Sequence, residues 1–326
     1  MDVTLFPAPL KGRLAADYKK LLSSCRLRDE EDATVVALMT DDDFRVVACA
    51  ARAGHTLKQF AVSPEFEGGG AAASLLSALQ NEAMQQGITR LFLCTKPQNM
   101  RMFASMGFYP LTKTADAVLM ENRRNGLEEF LASVPKRDGV CGAIVMNADP
   151  FTRGHLHLIE TASEQCDALY VFAVSEQGSL FSPEERYQMI EQGSAHVKNR
   201  ILCRSEFYLV SRATFPAYFI RDEAHVDEMR ADLDIELFRS RIAPALHITR
   251  RFVGEEPFSP TTRAYNERMK TLLPEQGIEL VEIPRLGGIS ASRVREAIRN
   301  GSPASIQNLV PETTYAAICR HLTANA

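Results

Sequence analysis

The sequence lacks the features that mark exported, membrane-spanning or nucleic-acid-binding proteins. No apolar run approaches the roughly 20 residues that span a bilayer. The opening stretch MDVTLFPAPLKGR has no charged segment followed by an apolar one, so no export signal is expected. The net charge of −4 shows no basic excess, which argues against a nucleic-acid partner. We therefore expect a cytoplasmic protein with neither membrane nor nucleic acid as partner.

The cysteines also lack any pattern. There are seven in 326 residues, and none forms a Cys-x-x-Cys pair. Their odd number and wide spacing argue against a disulfide scaffold and against a zinc site, and favour reduced thiols in the cytoplasm. No pair of carboxylates suited to two metal ions is evident either, so we expect no metal ligands from the protein itself.

A chain of 326 residues is too long for one ordinary core, so two domains are expected. The first part reads as helices mixed with hairpin strands. After Pro135 and Gly139, strands and helices alternate, which predicts a parallel, doubly wound sheet. We place the boundary near residue 137, which gives an α+β domain over 1–137 and an α/β, Rossmann-like domain over 138–326. The strands predicted for the second domain are VCGAIVM, ALYVFAV, RILCRSEFYLV, HITRRFVG and IELVEIP.

Two helical patterns stand out by their apolar spacing. After the glycines of EFEGGG, a helix is predicted with Leu75, Leu76, Leu79 and Met84 on one face and Gly87 as its stop. A charged helix, DEAHVDEMRADLDIELFRS, interrupts the alternation of the second domain. Its apolar stripe is typical of a packing helix and comprises Val226, Met229, Leu233 and Leu237.

The stretch NADPFTRGHLHLIE follows the first predicted strand of the second domain and leads into a helix. A helix start presents unpaired N–H groups and a partial positive charge, which suit a phosphate. Gly154 allows close approach of a ligand, and Thr152 and His155 can donate hydrogen bonds to phosphoryl oxygens. An N-capping threonine beside a structural histidine explains the same residues equally well. His157, two residues on, is interpreted as structural.

A second stretch, RLGGISASRVREAIRNG, repeats this chemistry near the end of the chain. Ser290, Ser292 and Arg295 lie at the start of another helix, after two glycines, and could hold the outer phosphates of a nucleotide. The pair of motifs resembles the nucleotidylyltransferase superfamily, which joins (H/T)xGH to ISSTxxR. In this sequence Ala291 and Ser292 replace the usual Ser-Thr.

That resemblance implies attack on the α-phosphate of ATP, bound with Mg²⁺, with loss of pyrophosphate. Thr152, His155 and Arg295 are then the catalytic residues. The remaining ATP-binding residues are expected after the strand ends and at the helix starts, at Asn147, Asp149, Phe151, Gly154, Gly254, Glu255, Ser290 and Ser292. No tightly bound organic cofactor is expected.

Two further stretches support the same domain. In VGEEP, Gly254 and Glu255 follow a strand, and the missing side chain of Gly254 would let adenine or ribose lie against the backbone. Glu256 is interpreted as part of a solvated loop. In SLFSPEERYQMI, Ser182, Pro183 and Glu185 have the order of a capping box. Arg186 in that stretch is interpreted as a surface residue.

The first domain has a glycine turn between a strand and a helix, FAVSPEFEGGGAAASLL. Together with NMRMFASMGFYPL it resembles the GCN5-related N-acetyltransferase fold, whose loop pattern is (Q/R)xxGx(G/A). Gly68, Gly70 and Ala72 are the candidates for binding an acyl or CoA-like arm. Glu67 stands where the family has Gln or Arg and would repel a pyrophosphate. The loop is therefore expected to serve either a CoA-like arm or a protein partner.

The order of these two domains resembles the citrate lyase ligase family over essentially the whole chain. The resemblance rests also on SLFSPEERYQMI, ATFPAYFI and VGEEP. It implies activation of acetate by ATP to acetyl-AMP and pyrophosphate. The acetyl group then passes to the thiol of a CoA-derived prosthetic group on the acyl-carrier subunit of citrate lyase. The catalytic thiol belongs to that carrier, so no cysteine of this chain needs a role in the reaction.

Three alternatives remain at this point. A coenzyme-biosynthesis adenylyltransferase acting on phosphopantetheine would share the ATP residues but need a basic acceptor pocket, for which Arg212 is the candidate. A regulatory or scaffolding protein could bind nucleotide and CoA without turnover, although intact Thr152, His155, Ser290 and Arg295 argue against it. A free-standing acetyltransferase is disfavoured by Glu67.

Overall fold

The chain forms two separate β-sheets. The structure is a computed structural model and describes residues 2–175, 180–209, 216–220, 222–257 and 259–324. One compact unit, the N-terminal unit, comprises Met1–Gly126 and Ala213–Leu233. The other, the C-terminal unit, comprises Leu127–Arg212 and Asp234–Ala326. The predicted order, an α+β part followed by a parallel-sheet part, is confirmed.

The N-terminal unit contains a seven-stranded sheet of order β1-β2-β3-β4-β5-β7-β6. Its strands are β1 Val3–Pro7, β2 Val35–Thr40, β3 Val46–Ala53, β4 Thr56–Val62, β5 Phe92–Thr95, β6 Tyr109–Lys113 and β7 Val118–Glu121. Its helices before the second sheet are α1 Gly12–Ser24, α2 Ala71–Gln85 and α3 Met100–Ser105. The strands pair antiparallel except β4 and β5, which run parallel and pair only at Thr56–Phe92 and Leu57–Leu93.

Helix α2 begins after Gly70, whose φ of +81° lies in the left-handed region that glycine adopts without strain. Leu75, Leu76 and Leu79 are buried as predicted. Met84 differs from its predicted place on that face, because it is 65 % exposed and Ala83 is the buried residue of that turn.

The C-terminal unit is built on a five-stranded, all-parallel sheet of order β10-β9-β8-β11-β12. These strands are β8 Cys141–Met146, β9 Ala168–Ala173, β10 Arg200–Arg204, β11 Ile248–Gly254 and β12 Glu279–Ile283. The helices that follow β7 in the chain are α4 Gly126–Ser133, α5 Arg153–Ser163, α6 Pro183–Gly193, α7 Glu223–Leu237, α8 Ala243–Ala245, α9 Pro260–Leu272, α10 Ala291–Arg299 and α11 Glu312–Ala324. Of these, α7 belongs to the N-terminal unit as far as Leu233. Buried apolar strands such as β8 and β9, which are covered on both faces, are typical of parallel sheets.

The division of the chain differs from the expected single boundary near residue 137. Helix α4 belongs to the C-terminal unit, where the rings of Phe130 and Tyr208 lie 5.2 Å apart and the Tyr170 hydroxyl donates to the carbonyl of Pro135 at 2.9 Å. These contacts tie the segment before residue 137 to the parallel-sheet unit.

A later segment, Ala213–Leu233, returns to the N-terminal unit. The backbone N–H of Arg28 donates to the Tyr218 carbonyl at 2.7 Å, and that of Ala217 donates to Glu30 Oε1 at 2.9 Å. The apolar stripe predicted for α7 is buried. None of the helices within the described ranges is both long and apolar enough to cross a membrane.

Candidate active site

A cavity of about 320 Å³ opens at the carboxyl ends of β8, β11 and β12 in the C-terminal unit. The order of the sheet reverses between β8 and β11, and ligands of open α/β sheets bind at such a switch point. Most of the predicted site residues share this cavity, and the structure therefore brings the two sequence motifs together. Those that line it are Asn147, Asp149, Thr152, Gly154, His155, Gly254, Glu255, Ser290 and Arg295.

Thr152 caps helix α5, with His155 as its partner. The Thr152 hydroxyl accepts from the backbone N–H of His155 at 3.4 Å, and the backbone N–H of Thr152 donates to His155 Nδ1 at 3.0 Å. This is a capping box in which a histidine takes the place of the usual glutamate. Thr152 is buried, and its hydroxyl is used in this cap. A direct contact of Thr152 with phosphate stays a prediction.

The same hydrogen bond fixes the protonation of His155. Because Nδ1 accepts from the Thr152 backbone, the neutral ring carries its proton on Nε2, which is a donor. Burial, together with the positive charges of Arg285 and Arg295, lowers the pKa of His155 to about 4. The ring is therefore neutral at pH 7 and able to donate one hydrogen bond from Nε2.

Phe151 lies behind His155 rather than on the cavity wall. The two rings stack with centroids 5.9 Å apart, and Phe151 is fully buried. Its side chain packs so closely on the end of α6 that a Cβ at Gly193 would lie 2.7 Å from Phe151 Cε1. Phe151 is therefore not placed on the cavity wall, where a contact with ATP was expected. Its side chain supports the His155 ring instead.

The second motif begins helix α10. The Ser290 hydroxyl accepts from the backbone N–H of Arg293 at 3.2 Å and so caps the helix. Arg295 donates to the carbonyl of Asp149, and its Nη2 also donates to the Ser292 hydroxyl at 3.2 Å. Ser292 does not line the cavity. Its hydroxyl helps to orient the side chain of Arg295.

The glycines of the site leave room for a ligand. A Cβ at Gly254 would meet nothing within 4 Å, and one at Gly154 would meet only ordinary contacts, the nearest at 3.5 Å from the Thr152 hydroxyl. No neighbouring protein atom therefore requires glycine at either position. Both face the cavity, which is where the absence of a side chain favours a bound molecule.

Sequence reasoning missed Arg285, which follows β12 and lines the cavity. Its Nη1 donates to Glu256 Oε1 at 3.1 Å, and Glu256 Oε1 also accepts from the backbone N–H of Ser259 at 3.1 Å. Glu256 is thus part of an ion pair and not of a solvated loop. A single arginine after a strand has no pattern of its own, so the sequence carried no signal for this pair.

The interpretation of Arg186 as a surface residue is wrong, because only 1 % of it is exposed. Its Nη1 donates to the Asn147 carbonyl at 2.7 Å and also to Asn147 Oδ1. The capping box predicted on the same helix is confirmed, with hydrogen bonds between Ser182 and Glu185 in both directions. Arg212, the candidate for an acceptor phosphate, lies outside the described residues.

The N-terminal unit has a cavity of its own, of about 810 Å³. It opens where β4 and β5 stop pairing, since Ala61 and Val62 line one side and Thr95 and Lys96 another. Gly68, Gly70 and Ala72 all line this cavity, together with the exposed Glu67. The glycine turn thus lies at a space large enough for an extended arm.

The C-terminal cavity combines a neutral histidine donor, two arginines and the starts of two helices. Such a set can bind a polyphosphate and stabilise charge that develops on phosphoryl oxygens. Across the described residues, no three His, Cys, Asp or Glu side chains cluster as a metal site would require.

The parallel sheet and its paired helix starts define a nucleotidylyltransferase-like domain. Residues 141–318 match the family described as the citrate lyase ligase C-terminal domain, and residues 8–108 match the acetyltransferase (GNAT) family. The [citrate [pro-3S]-lyase] ligase of Klebsiella pneumoniae is 44% identical over 86% of this chain and 85% of its own length. That of Escherichia coli K12 is 37% identical over 92% and 90%. The chain therefore belongs to the citrate lyase ligase family.

This membership confirms the predicted function as a ligase for citrate lyase and its enzyme class, an acid–thiol ligase. The adenylyltransferase alternative has only distant support. The phosphopantetheine adenylyltransferase of Alkaliphilus oremlandii is 26% identical over 91% of its own length but only 52% of this chain.

Proposed function

We propose that the chain uses ATP to activate acetate as acetyl-AMP. A carboxylate oxygen of acetate attacks the α-phosphorus, the new O–P bond forms, and the bond to the β-phosphate breaks so that pyrophosphate leaves. The observation that carries this proposal is the convergence of His155, Arg295 and the Ser290 helix start on one cavity. Donors arranged before the reaction stabilise the charge of the transition state without reorganisation.

Each residue has a role in this proposal. His155 donates from Nε2 to an oxygen of the α-phosphate, while Thr152 holds the ring in that tautomer. Arg295 and the N–H groups at the start of α10 bind the β- and γ-phosphates. Gly254 and Glu255 receive the adenosine at the end of β11. Mg²⁺ enters as the counterion of ATP, coordinated chiefly by phosphate oxygens and water.

In the second step, the thiolate of the CoA-derived arm on the citrate lyase acyl carrier attacks the acetyl carbonyl carbon. The C–S bond forms, the C–O bond to AMP breaks, and AMP leaves. We propose that the N-terminal cavity at Gly68, Gly70 and Ala72 holds this arm, because its volume of about 810 Å³ suits an extended thiol cofactor. All seven cysteines of the chain are free thiols, which fits a cytoplasmic protein.

The test is pyrophosphate release from Mg-ATP by the full chain with the acyl-carrier subunit, with acetate as substrate. Phosphopantetheine replaces acetate in a second arm. We expect acetate-dependent release, and His155→Ala should lower it about 10²–10³-fold, the usual loss for one charge-stabilising donor. The matched control is His196→Ala, because His196 is exposed and pairs with Glu160 away from the cavity. Release with phosphopantetheine alone would favour the adenylyltransferase, and no release in either arm would favour a scaffold.

A further inference from the structure

Arg186 is a buried arginine that the proposed chemistry does not use. It lies on α6, only 1 % of it is exposed, and it does not line the cavity of the C-terminal unit. An arginine is costly to bury unless its donors are paired. Its guanidinium donates to Asn147, which lies 39 residues earlier in the chain and directly follows β8.

The contact between them fixes the conformation of Asn147. Arg186 Nη1 donates to the backbone carbonyl of Asn147 at 2.7 Å and to its side-chain Oδ1. Since a guanidinium has only donors, the oxygen of the asparagine amide must face it. The other end of that amide, Nδ2, carries the two N–H donors. Asn147 is exposed and lines the cavity, so its donor end is available to a ligand there.

The residues next to Asn147 are held by two further contacts. Ala148 has a φ of +48°, a left-handed conformation that is rare for residues other than glycine. Asp149 Oδ1 accepts from the backbone N–H of Phe181 at 3.1 Å, and the Asp149 carbonyl accepts from Arg295. The turn between β8 and α5 is thus held from the α6 side by Arg186 and from the α10 side by Arg295.

We propose that Arg186 is a positioning residue for the reaction, which acts through Asn147 and touches no substrate. It turns the Asn147 amide so that Nδ2 donates to an anionic oxygen of the nucleotide, and it holds the turn that leads into Thr152 and His155. The kinetic effect of this positioning rests on the proposed binding of ATP at the C-terminal cavity. The orientation of the amide itself does not depend on that function.

The test compares Arg186→Met with Arg200→Met in the full chain. Arg200 Nη1 donates to the carbonyls of Ile190 and Glu191 at the other end of α6, 3.2 Å from each, and lies away from the cavity. We expect Arg186→Met to lower kcat/KM for ATP about 10–100-fold, the scale of a misplaced reacting group. Arg200→Met should lower stability without that loss. Arg186→Lys, which keeps the charge but not the fork of donors, should fold and lie between the two.

A second comparison separates positioning from a general effect on the fold. If Arg186 acts through Asn147, the double variant Asn147→Ala with Arg186→Met should be no slower than the worse single variant. Losses that multiply in the double variant, or an equal loss in Arg200→Met, would overturn the proposal.

The amide can also be observed directly by NMR. The Asn147 side-chain N–H₂ signals, assigned by their absence in Asn147→Asp, should move in Arg186→Met and Arg186→Lys but stay in place in Arg200→Met. If the wild-type chain releases no pyrophosphate with acetate, the proposed function fails, while this spectrum still decides the role of Arg186. Unchanged Asn147 signals in Arg186→Met would refute it.

Discussion

At the scale of single residues, His155 carries the most specific electrostatic consequence. Burial, and after it repulsion from Arg285 and Arg295, lowers its pKa from an ordinary value of 6.5 to about 4. The unfolded chain therefore takes up this proton first as the pH falls. The stability that His155 contributes in its neutral form is complete above about pH 6.5 and is lost between there and about pH 4.

We expect the His155 ring signals in an NMR titration of the folded chain to move near pH 4. Arg285→Met should raise that pKa, because it removes one of the two positive charges that disfavour the imidazolium. Arg299→Met is the matched control, since Arg299 ends α10 and is exposed. A ring that titrates near pH 6.5 in the wild-type chain, or the same pKa in Arg285→Met, would contradict this account.

Residues differ in how far the sequence could predict them. Thr152, His155 and Ser290 could be identified because a helix start is a local pattern, readable within four positions. Arg186 and Arg285 could not, since an arginine is usually exposed and their partners, Asn147 and Glu256, lie 39 and 29 positions away. The misjudged residues are therefore those whose role depends on long-range pairing.

At the scale of elements, the same division between local and distant signals holds. The sequence predicts the five strands of the parallel sheet because buried parallel strands are continuous apolar runs. Within RILCRSEFYLV, the described residues 200–209 form strand only over Arg200–Arg204. Strands β1 and β7 have no comparable apolar run. β1 is an edge strand of five mostly exposed or half-buried residues ending at Pro7, and β7 has four residues, so neither has a long enough pattern to be recognised.

The end of α6 offers a test of packing against helix propensity. Replacing glycine by alanine in a helix normally stabilises by about 0.5–1 kcal/mol. At Gly193 the added Cβ would lie 2.7 Å from Phe151 Cε1, and Phe151 is fully buried beneath the His155 ring. Overpacking of this kind costs about 1–3 kcal/mol, so we expect Gly193→Ala to lower the Tm in calorimetry.

The control for this variant is Gly69→Ala. A Cβ at Gly69 would meet only the Phe66 carbonyl oxygen at 3.5 Å, an ordinary contact. If Gly193→Ala proves as stable as Gly69→Ala, Phe151 can move away without cost and does not support His155 as described.

At the scale of the whole molecule, each of the two units has a cavity that suits one half of the proposed reaction. The cavity of about 320 Å³ in the C-terminal unit has the arginines and helix starts that phosphates require. The cavity of about 810 Å³ in the N-terminal unit is lined by a glycine turn and by apolar side chains such as Phe60, Phe103 and Met106. An acetyl-adenylate suits the first, and a long thiol arm suits the second.

Because the two cavities belong to separate units, a variant that fills one should affect only one half-reaction. Ala72 lines the N-terminal cavity and is half-buried on α2. We expect Ala72→Phe to raise the KM for the acyl carrier at least about 10-fold through lost space for the arm. Acetate-dependent exchange of pyrophosphate into ATP, which needs only the C-terminal cavity, should be unchanged.

Met84→Phe is the control on the same helix, because Met84 is 65 % exposed and does not line the cavity. Full acetylation of the carrier by Ala72→Phe would mean that the arm reaches the acetyl-adenylate without entering this cavity. Loss of the exchange reaction would mean that the variant disturbs more than the N-terminal unit.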